Sequence, residues 1–169
     1  VNLFGGHKDE KREKTWEQKT WVNVFSVTKA VTATCIAKLI DEGKLDFNEK
    51  VVTYWPEYGN NGKEDTKVSD FLCHRAGMFG FSEGIPITNW TKFEHFSKAL
   101  EQQKPIREPG SSQGYHALTY GWLVGEIVKR IDARSVGKYF EEEIATPFGI
   151  DFKIGLDQED FSNCADMIM

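Results

Sequence analysis

Apolar residues recur at helical spacing in four long stretches of the chain. From Val27 to Ile40 they cover nearly every face of a helix, a distribution typical of a helix buried on all sides. Gly43 follows as a suitable residue to end that helix. Three later stretches carry one apolar stripe each and predict amphipathic helices over about 92–103, 120–131 and 136–147.

Extended and irregular segments are predicted between and before these helices. Val1 to Phe4 have strand-like composition, and Val22 to Phe25 resemble the end of a strand or a buried approach to the first helix. The mixed charges of residues 8–20 predict a solvated hairpin connection between them. A short helix over 67–74 is predicted to be capped by Thr66, and a capping box from Thr91 to Glu94 is expected to start the helix over 92–103.

Composition limits the classes of function. The 169 residues, 40% apolar and 13% aromatic, suit one globular domain. With 21 basic and 26 acidic residues, the net charge of −5 leaves no basic surface typical of nucleic-acid binding, and no run approaches the ~18 apolar residues of a membrane-spanning helix. Cys35, Cys73 and Cys164 lack zinc or disulfide spacing, which favours free, buried thiols in a reducing compartment. Because both ends look like parts of longer elements, we expect the chain to be a piece of a larger protein.

The first candidate chemistry lies at the start of the helix that begins near Val27. Ser26 and Lys29 are three positions apart and therefore lie on the same side of the first turn. No acid lies four positions before or after Lys29 to pair with it. Ser135 and Lys138 have the same spacing, but they precede three glutamates on an amphipathic helix. We therefore interpret Ser135 as an ordinary helix cap.

A serine paired with a lysine indicates nucleophilic catalysis. A hydroxyl is a weak nucleophile until a base takes its proton, and a desolvated lysine can act as that base. The start of a helix also offers backbone N–H groups and a positive dipole end to a developing oxyanion. Ser26 and Lys29 thus form a candidate acylation site.

Two further motifs extend this pattern into a family resemblance. Phe25-Ser-Val-Thr-Lys29 is followed by His74-Arg-Ala-Gly-Met78 and then by Gly114-Tyr-His-Ala-Leu-Thr-Tyr-Gly121. In this order the motifs resemble the serine beta-lactamase-related superfamily over essentially the whole chain. Within it the chain is similar to the class C-like branch, which includes family VIII carboxylesterases, D-alanyl-D-alanine peptidases and LACTB-like proteins.

The resemblance implies roles for three residues and no cofactor or metal. Ser26 would be the acylated nucleophile, Lys29 would share or accept its proton, and Tyr115 would act as general base. Ala117 replaces the asparagine of the lactamases and peptidases, which favours a small ester over an amide as the substrate. The family's third motif, Lys-Thr-Gly or His-x-Gly, is missing from these 169 residues, so we expect the fragment itself to be inactive.

The resemblance also implies an α/β (α+β) fold with an antiparallel sheet, flanking helices and a helical subdomain. Residues 1–50 would hold the first strands and the nucleophile helix, 51–130 the helical region with Tyr115, and 131–169 the following helix and segment. The alternative function is a structural, homo-oligomer-forming protein with little catalysis. His74 is expected to bond backbone or a nearby acid, and His116 either faces the cleft or has a structural role.

Overall fold

Helices dominate the computed structural model, which describes residues 1, 3–84, 86, 88 and 92–168. The α-helices are α1 (Val27–Asp41), α2 (Val68–Leu72), α3 (Phe93–Gln102), α4 (Thr119–Asp132), α5 (Val136–Phe140) and α6 (Thr146–Phe148). A π-helical turn, Glu141–Ala145, joins α5 to α6. Among the described residues, 3-10 turns also form at Val51–Thr53, Pro56–Gly59 and Gln158–Asn163. Among the described residues, no helix has the length and apolar character needed to cross a membrane.

Helix α4 lies at the centre of the core, where α1, α2, α3 and α5 all contact it. Its predicted apolar stripe is confirmed, with Leu123, Val124, Ile127 and Val128 at most 1% exposed. The core continues through the aromatic side chains of the 3-10 turns and the neighbouring helices: Trp55, Tyr58, Phe71, Tyr139 and Phe140. Burial of one stripe per helix therefore holds the described part of the chain together.

The prediction that the first helix is buried on all sides is wrong for the described structure. One face of α1, formed by Thr32, Cys35, Ile36 and Leu39, is buried against the core, whereas Val27 on the opposite face is 61% exposed. A helix is buried all round only where elements pack on both sides, and the described helices contact one side. All three thiols are free. Cys35 is buried as predicted and Cys164 is half-buried, but Cys73 is exposed at the end of α2, so the prediction of buried thiols is wrong for Cys73.

The antiparallel sheet is not observed among the described residues, which contain three isolated bridges instead of strands. His7 and Thr15 form an antiparallel bridge, in agreement with the hairpin connection predicted for the charged run. Trp21 pairs in parallel with Cys164, so the approach to α1 lies beside the last described segment. Strand-like composition becomes a sheet only where partner strands are present, because cross-strand pairing supplies the stability.

The residues that cap the helix N-termini agree only in part with those predicted from the sequence. Thr66 is not the cap of α2; the N-cap residue is Lys67, whose N–H is accepted by the Asp70 carboxylate at 3.0 Å. The predicted capping residue of α3, Thr91, lies outside the described residues. Ser135 caps α5 as predicted, since its Oγ accepts a backbone N–H three residues later at 3.2 Å.

A short ladder of backbone hydrogen bonds joins the chain after α2 to the loop before α4. Ile106 N–H donates to Gly77 O at 2.8 Å, and Gly110 N–H donates to Arg75 O at 2.8 Å. Gly77 has a φ of +69°, and a Cβ there would lie 1.9 Å from the carbonyl oxygen of Arg107. This close approach requires glycine. These hydrogen bonds hold the loop before α4 beside the segment that follows α2. The end of the same loop contacts the first turn of α1 through Lys29.

Candidate active site

Ser26, Lys29 and Tyr115 meet at the amino-terminal end of α1. The Tyr115 hydroxyl donates to Ser26 Oγ at 2.6 Å, across 89 residues of sequence. Lys29 Nζ donates to the same oxygen at 3.2 Å from one turn into the helix. The structure thus brings together all three side chains that the sequence singled out, with Tyr115 and Lys29 both within hydrogen-bond distance of Ser26 Oγ.

Local backbone geometry explains how Ser26 is presented. Ser26 is the N-cap residue of α1, but its hydroxyl does not cap the helix, so Oγ is available to Tyr115 and Lys29. Phe25 immediately before it has a φ of +47°, an uncommon conformation for a bulky residue. The Asn23 side chain accepts the Phe25 N–H at 2.7 Å and supports this bend. The bend turns the chain sharply into α1 and leaves Ser26 exposed.

Lys29 is held by groups from the loop and from α4. Its Nζ donates to the Ala117 carbonyl at 2.8 Å and lies 5.0 Å from the ring centroid of Tyr115 and 5.7 Å from that of Tyr120. Within the described part of the chain, no carboxylate forms a salt bridge with Lys29. Hydrogen bonds and cation–π contacts therefore hold its ammonium group beside Ser26.

The surroundings of Tyr115 favour its deprotonated form. The hydrogen bond with Ser26 is the main cause that lowers the pKa of the Tyr115 phenol, and a hydrogen bond and positive charge from Lys29 lower it further. When the phenol loses its proton, the Ser26 hydroxyl can turn to donate to the phenolate oxygen, and the positive charge of Lys29 also stabilises that phenolate. Tyr115 is 55% exposed, so part of this residue faces solvent.

The second serine–lysine pair has an ordinary structural role. Lys138 Nζ lies 3.1 Å from a carboxylate oxygen of Glu141 and 3.2 Å from one of Glu142. Ser135 caps α5 at the same place. The interpretation of Ser135 as a helix cap is therefore confirmed, and the two pairs differ in their contacts as the sequence indicated.

Two histidines contact the Tyr115 loop: His116, which follows Tyr115 directly, and His74, which lies in the segment after α2. His116 is fully buried; its Nε2 accepts the Met78 N–H at 3.1 Å, and its Nδ1 faces the Gly114 carbonyl at 2.6 Å. Because Nε2 is an acceptor, the proton lies on Nδ1. Burial lowers the pKa of His116 to about 4. Its role is therefore structural, which decides between the two alternatives left open by the sequence.

His74 bonds backbone, as expected, because its Nδ1 accepts the His116 N–H at 3.2 Å. Its ring also lies against the ring of Tyr115, with centroids 4.9 Å apart. Burial, followed by the nearby charge of Lys29, lowers the pKa of His74. The only sequence signals for these contacts are the place of His74 in its motif and the adjacency of His116 to Tyr115.

Among the described residues, His, Cys, Asp and Glu form no group of three or more that could hold a metal ion. The chemistry offered by the site is that of a hydroxyl, an amine and a phenol.

Known proteins resemble this chain along nearly its entire length. The sequence model of the Beta-lactamase family matches residues 1–168. The "Esterase/beta-lactamase LipL" of Mycobacterium tuberculosis is 33% identical over 154 residues, covering 89% of this chain and 35% of the relative. The chain thus spans about a third of that relative's length.

Two solved structures have closely similar backbones. A penicillin-binding protein homologue from Caulobacter crescentus superposes with a TM-score of 0.92 at 38% identity, covering 98% of this chain and 44% of its own. A family VIII carboxylesterase gives a TM-score of 0.92 at 36% identity, covering 97% of this chain and 46% of its own. The similarity therefore includes both sequence and backbone arrangement.

Proposed function

Because this chain belongs to the beta-lactamase family, we propose that the protein containing it is a serine hydrolase that forms an acyl-enzyme on Ser26. One observation carries the proposal: the 2.6 Å contact between the Tyr115 hydroxyl and Ser26 Oγ, with Lys29 Nζ 3.2 Å from the same oxygen. A nucleophile within hydrogen-bond distance of a base, with a cation beside both, is the arrangement that acyl transfer requires.

In the proposed acylation step, the Tyr115 phenolate takes the Ser26 proton as Oγ attacks the substrate carbonyl carbon. The tetrahedral intermediate collapses when the leaving alcohol receives that proton from Tyr115. Lys29 stabilises the phenolate and the developing charge on the nucleophile. A water molecule then attacks the acyl-enzyme, with Tyr115 again acting as base, and releases the acid and free Ser26.

We propose an ester as the preferred substrate. The methyl side chain of Ala117 has no group that could hydrogen-bond a substrate amide, and its backbone carbonyl already accepts a hydrogen bond from Lys29 Nζ at 2.8 Å. The family VIII carboxylesterase among the similar structures supports this choice. Amide hydrolysis at a comparable rate would contradict it.

The test compares Ser26→Ala with a matched control in the full-length protein. Wild-type protein should react with a fluorophosphonate probe and hydrolyse p-nitrophenyl butyrate, and Ser26→Ala should lose both activities. Ser135→Ala removes the other serine of a Ser-x-x-Lys pair and should retain both. Labelling that persists in Ser26→Ala would refute the assignment, and large oligomers without esterase activity would support the structural alternative.

Residues 1–169 alone are proposed to be inactive, because the family's third motif is absent from them. The same probe tests this statement on the isolated chain. Labelling at the rate of the full-length protein would show that these residues suffice for acylation.

A further inference from the structure

We propose that His74 is a positioning residue for Tyr115: by accepting the His116 N–H, its Nδ1 holds the loop so that the phenol reaches Ser26. This inference rests on the proposed function, since it assigns a role to the residue that orients the base. His74 itself is proposed to act through Tyr115 and to take no part in bond making.

The backbone on both sides of Tyr115 is bound to His74. The Gly114 N–H donates to the His74 carbonyl at 2.9 Å, and the His116 N–H donates to His74 Nδ1 at 3.2 Å. These two bonds hold the residues immediately before and after Tyr115. The side chain and the backbone carbonyl of His74 thereby limit the backbone rotations that would move the Tyr115 phenol away from Ser26.

The imidazole ring also restricts the Tyr115 side chain. The two rings meet with an interplanar angle of 62° at a centroid distance of 4.9 Å, a geometry typical of edge-to-face packing. Tyr115 is 55% exposed, so the His74 ring adds to the contacts that Lys29 makes with the Tyr115 ring and Ser26 makes with its hydroxyl. His74 also packs against Tyr120 of α4, with ring centroids 5.2 Å apart. The imidazole therefore lies between α4 and the Tyr115 side chain and contacts both.

The backbone of His74 is held in an uncommon conformation that fits this role. Its φ is +60°, which most side chains adopt only at a cost and which Asn and Gly tolerate best. Burial of the ring, and after it the nearby positive charge of Lys29, disfavour a positive charge on the imidazole. A neutral imidazole is required, because only an unprotonated Nδ1 can accept the His116 N–H.

The experiment compares two substitutions that both tolerate the left-handed backbone. His74→Asn retains a side-chain oxygen that can accept the His116 N–H, whereas His74→Gly removes both acceptor and ring. In the full-length protein we expect kcat for p-nitrophenyl butyrate to fall about 10- to 100-fold in His74→Gly, with KM within about twofold. His74→Asn should recover kcat to within about fivefold of wild type, because it restores the acceptor.

Labelling kinetics separate positioning from loss of folding. Partial unfolding of His74→Gly would reduce the amplitude of fluorophosphonate labelling, whereas a misplaced Tyr115 would reduce the rate constant of the folded molecules. His95, an exposed histidine of α3, supplies the control: His95→Gly should leave the labelling rate constant unchanged.

The proposal is overturned if His74→Gly labels Ser26 at the wild-type rate constant, or if His74→Asn is as slow as His74→Gly. Either result, obtained while Ser26→Ala abolishes labelling, leaves the proposed function standing. Persistent labelling in Ser26→Ala would instead remove the proposed function itself, and with it the reason for positioning Tyr115.

Discussion

Protonation of His116 should weaken the fold in mild acid. The folded protein holds the pKa of this buried ring at about 4, whereas an unfolded chain has the ordinary value near 6.5. As the pH falls, the unfolded state therefore binds the proton first, and stability is lost between about pH 6.5 and 4. The difference between these two pKa values corresponds to a total decrease of about 3 kcal/mol in the free energy of unfolding. About 2 kcal/mol of this decrease should occur between pH 7 and 5.

The physical reason is that the protonated ring has no place in the folded site. The His116 Nε2 accepts the Met78 N–H at 3.1 Å. If Nε2 were protonated, two N–H groups would face each other and this hydrogen bond would be lost. The ring is fully buried, so water cannot solvate the added charge. The fold must either exclude the proton or open the Tyr115 loop.

Urea unfolding at pH 7 and pH 5 measures this effect in wild type and His116→Gln. The glutamine amide oxygen can accept the Met78 N–H but does not titrate, so this variant should show the smaller pH dependence. We expect wild type to lose about 2 kcal/mol more than His116→Gln between the two pH values. His95→Gln, which removes an exposed histidine, should retain the wild-type slope. Equal slopes for wild type and His116→Gln would refute the reasoning.

Two further substitutions test the loop and the base. Gly77→Ala should lower the free energy of unfolding, measured in urea, by roughly 3 kcal/mol or more, because a Cβ would lie 1.9 Å from Arg107 O. Gly43→Ala is the control, since Gly43 has the same φ of +69° but nothing lies within 4 Å of its Cβ position. This substitution should lower the free energy of unfolding by about 1 kcal/mol. Equal costs would contradict the steric argument. Tyr115→Phe should reduce the rate of Ser26 labelling by about 10²- to 10⁴-fold with an unchanged unfolding midpoint, and a wild-type rate would exclude Tyr115 as the base.

Local pattern predicted the helices because a helix closes its hydrogen bonds among near neighbours. The stripe of α4 and the Ser135 cap could be read directly from residue spacing. The membership in a beta-lactamase/transpeptidase-like fold was also predictable, from three motifs in a fixed order, and the matching family and structures confirm it. The predicted sheet is not seen among the described residues, because strands depend on partners remote in sequence.

The candidate site likewise has one part that residue spacing predicts and another that depends on contacts between residues far apart in the sequence. Ser26 and Lys29 could be placed on one side of a helical turn from residue spacing alone, since helical geometry brings residues three apart together. The 2.6 Å contact between Tyr115 and Ser26, and the hydrogen bonds that His74 and His116 form around the Tyr115 loop, became known only from the three-dimensional arrangement. Those contacts cross 38 to 89 residues, and they depend on backbone turns at His74 and Gly77 that no local periodicity encodes. Long-range packing, which orients a loop against a helix, therefore completes the site that the sequence begins.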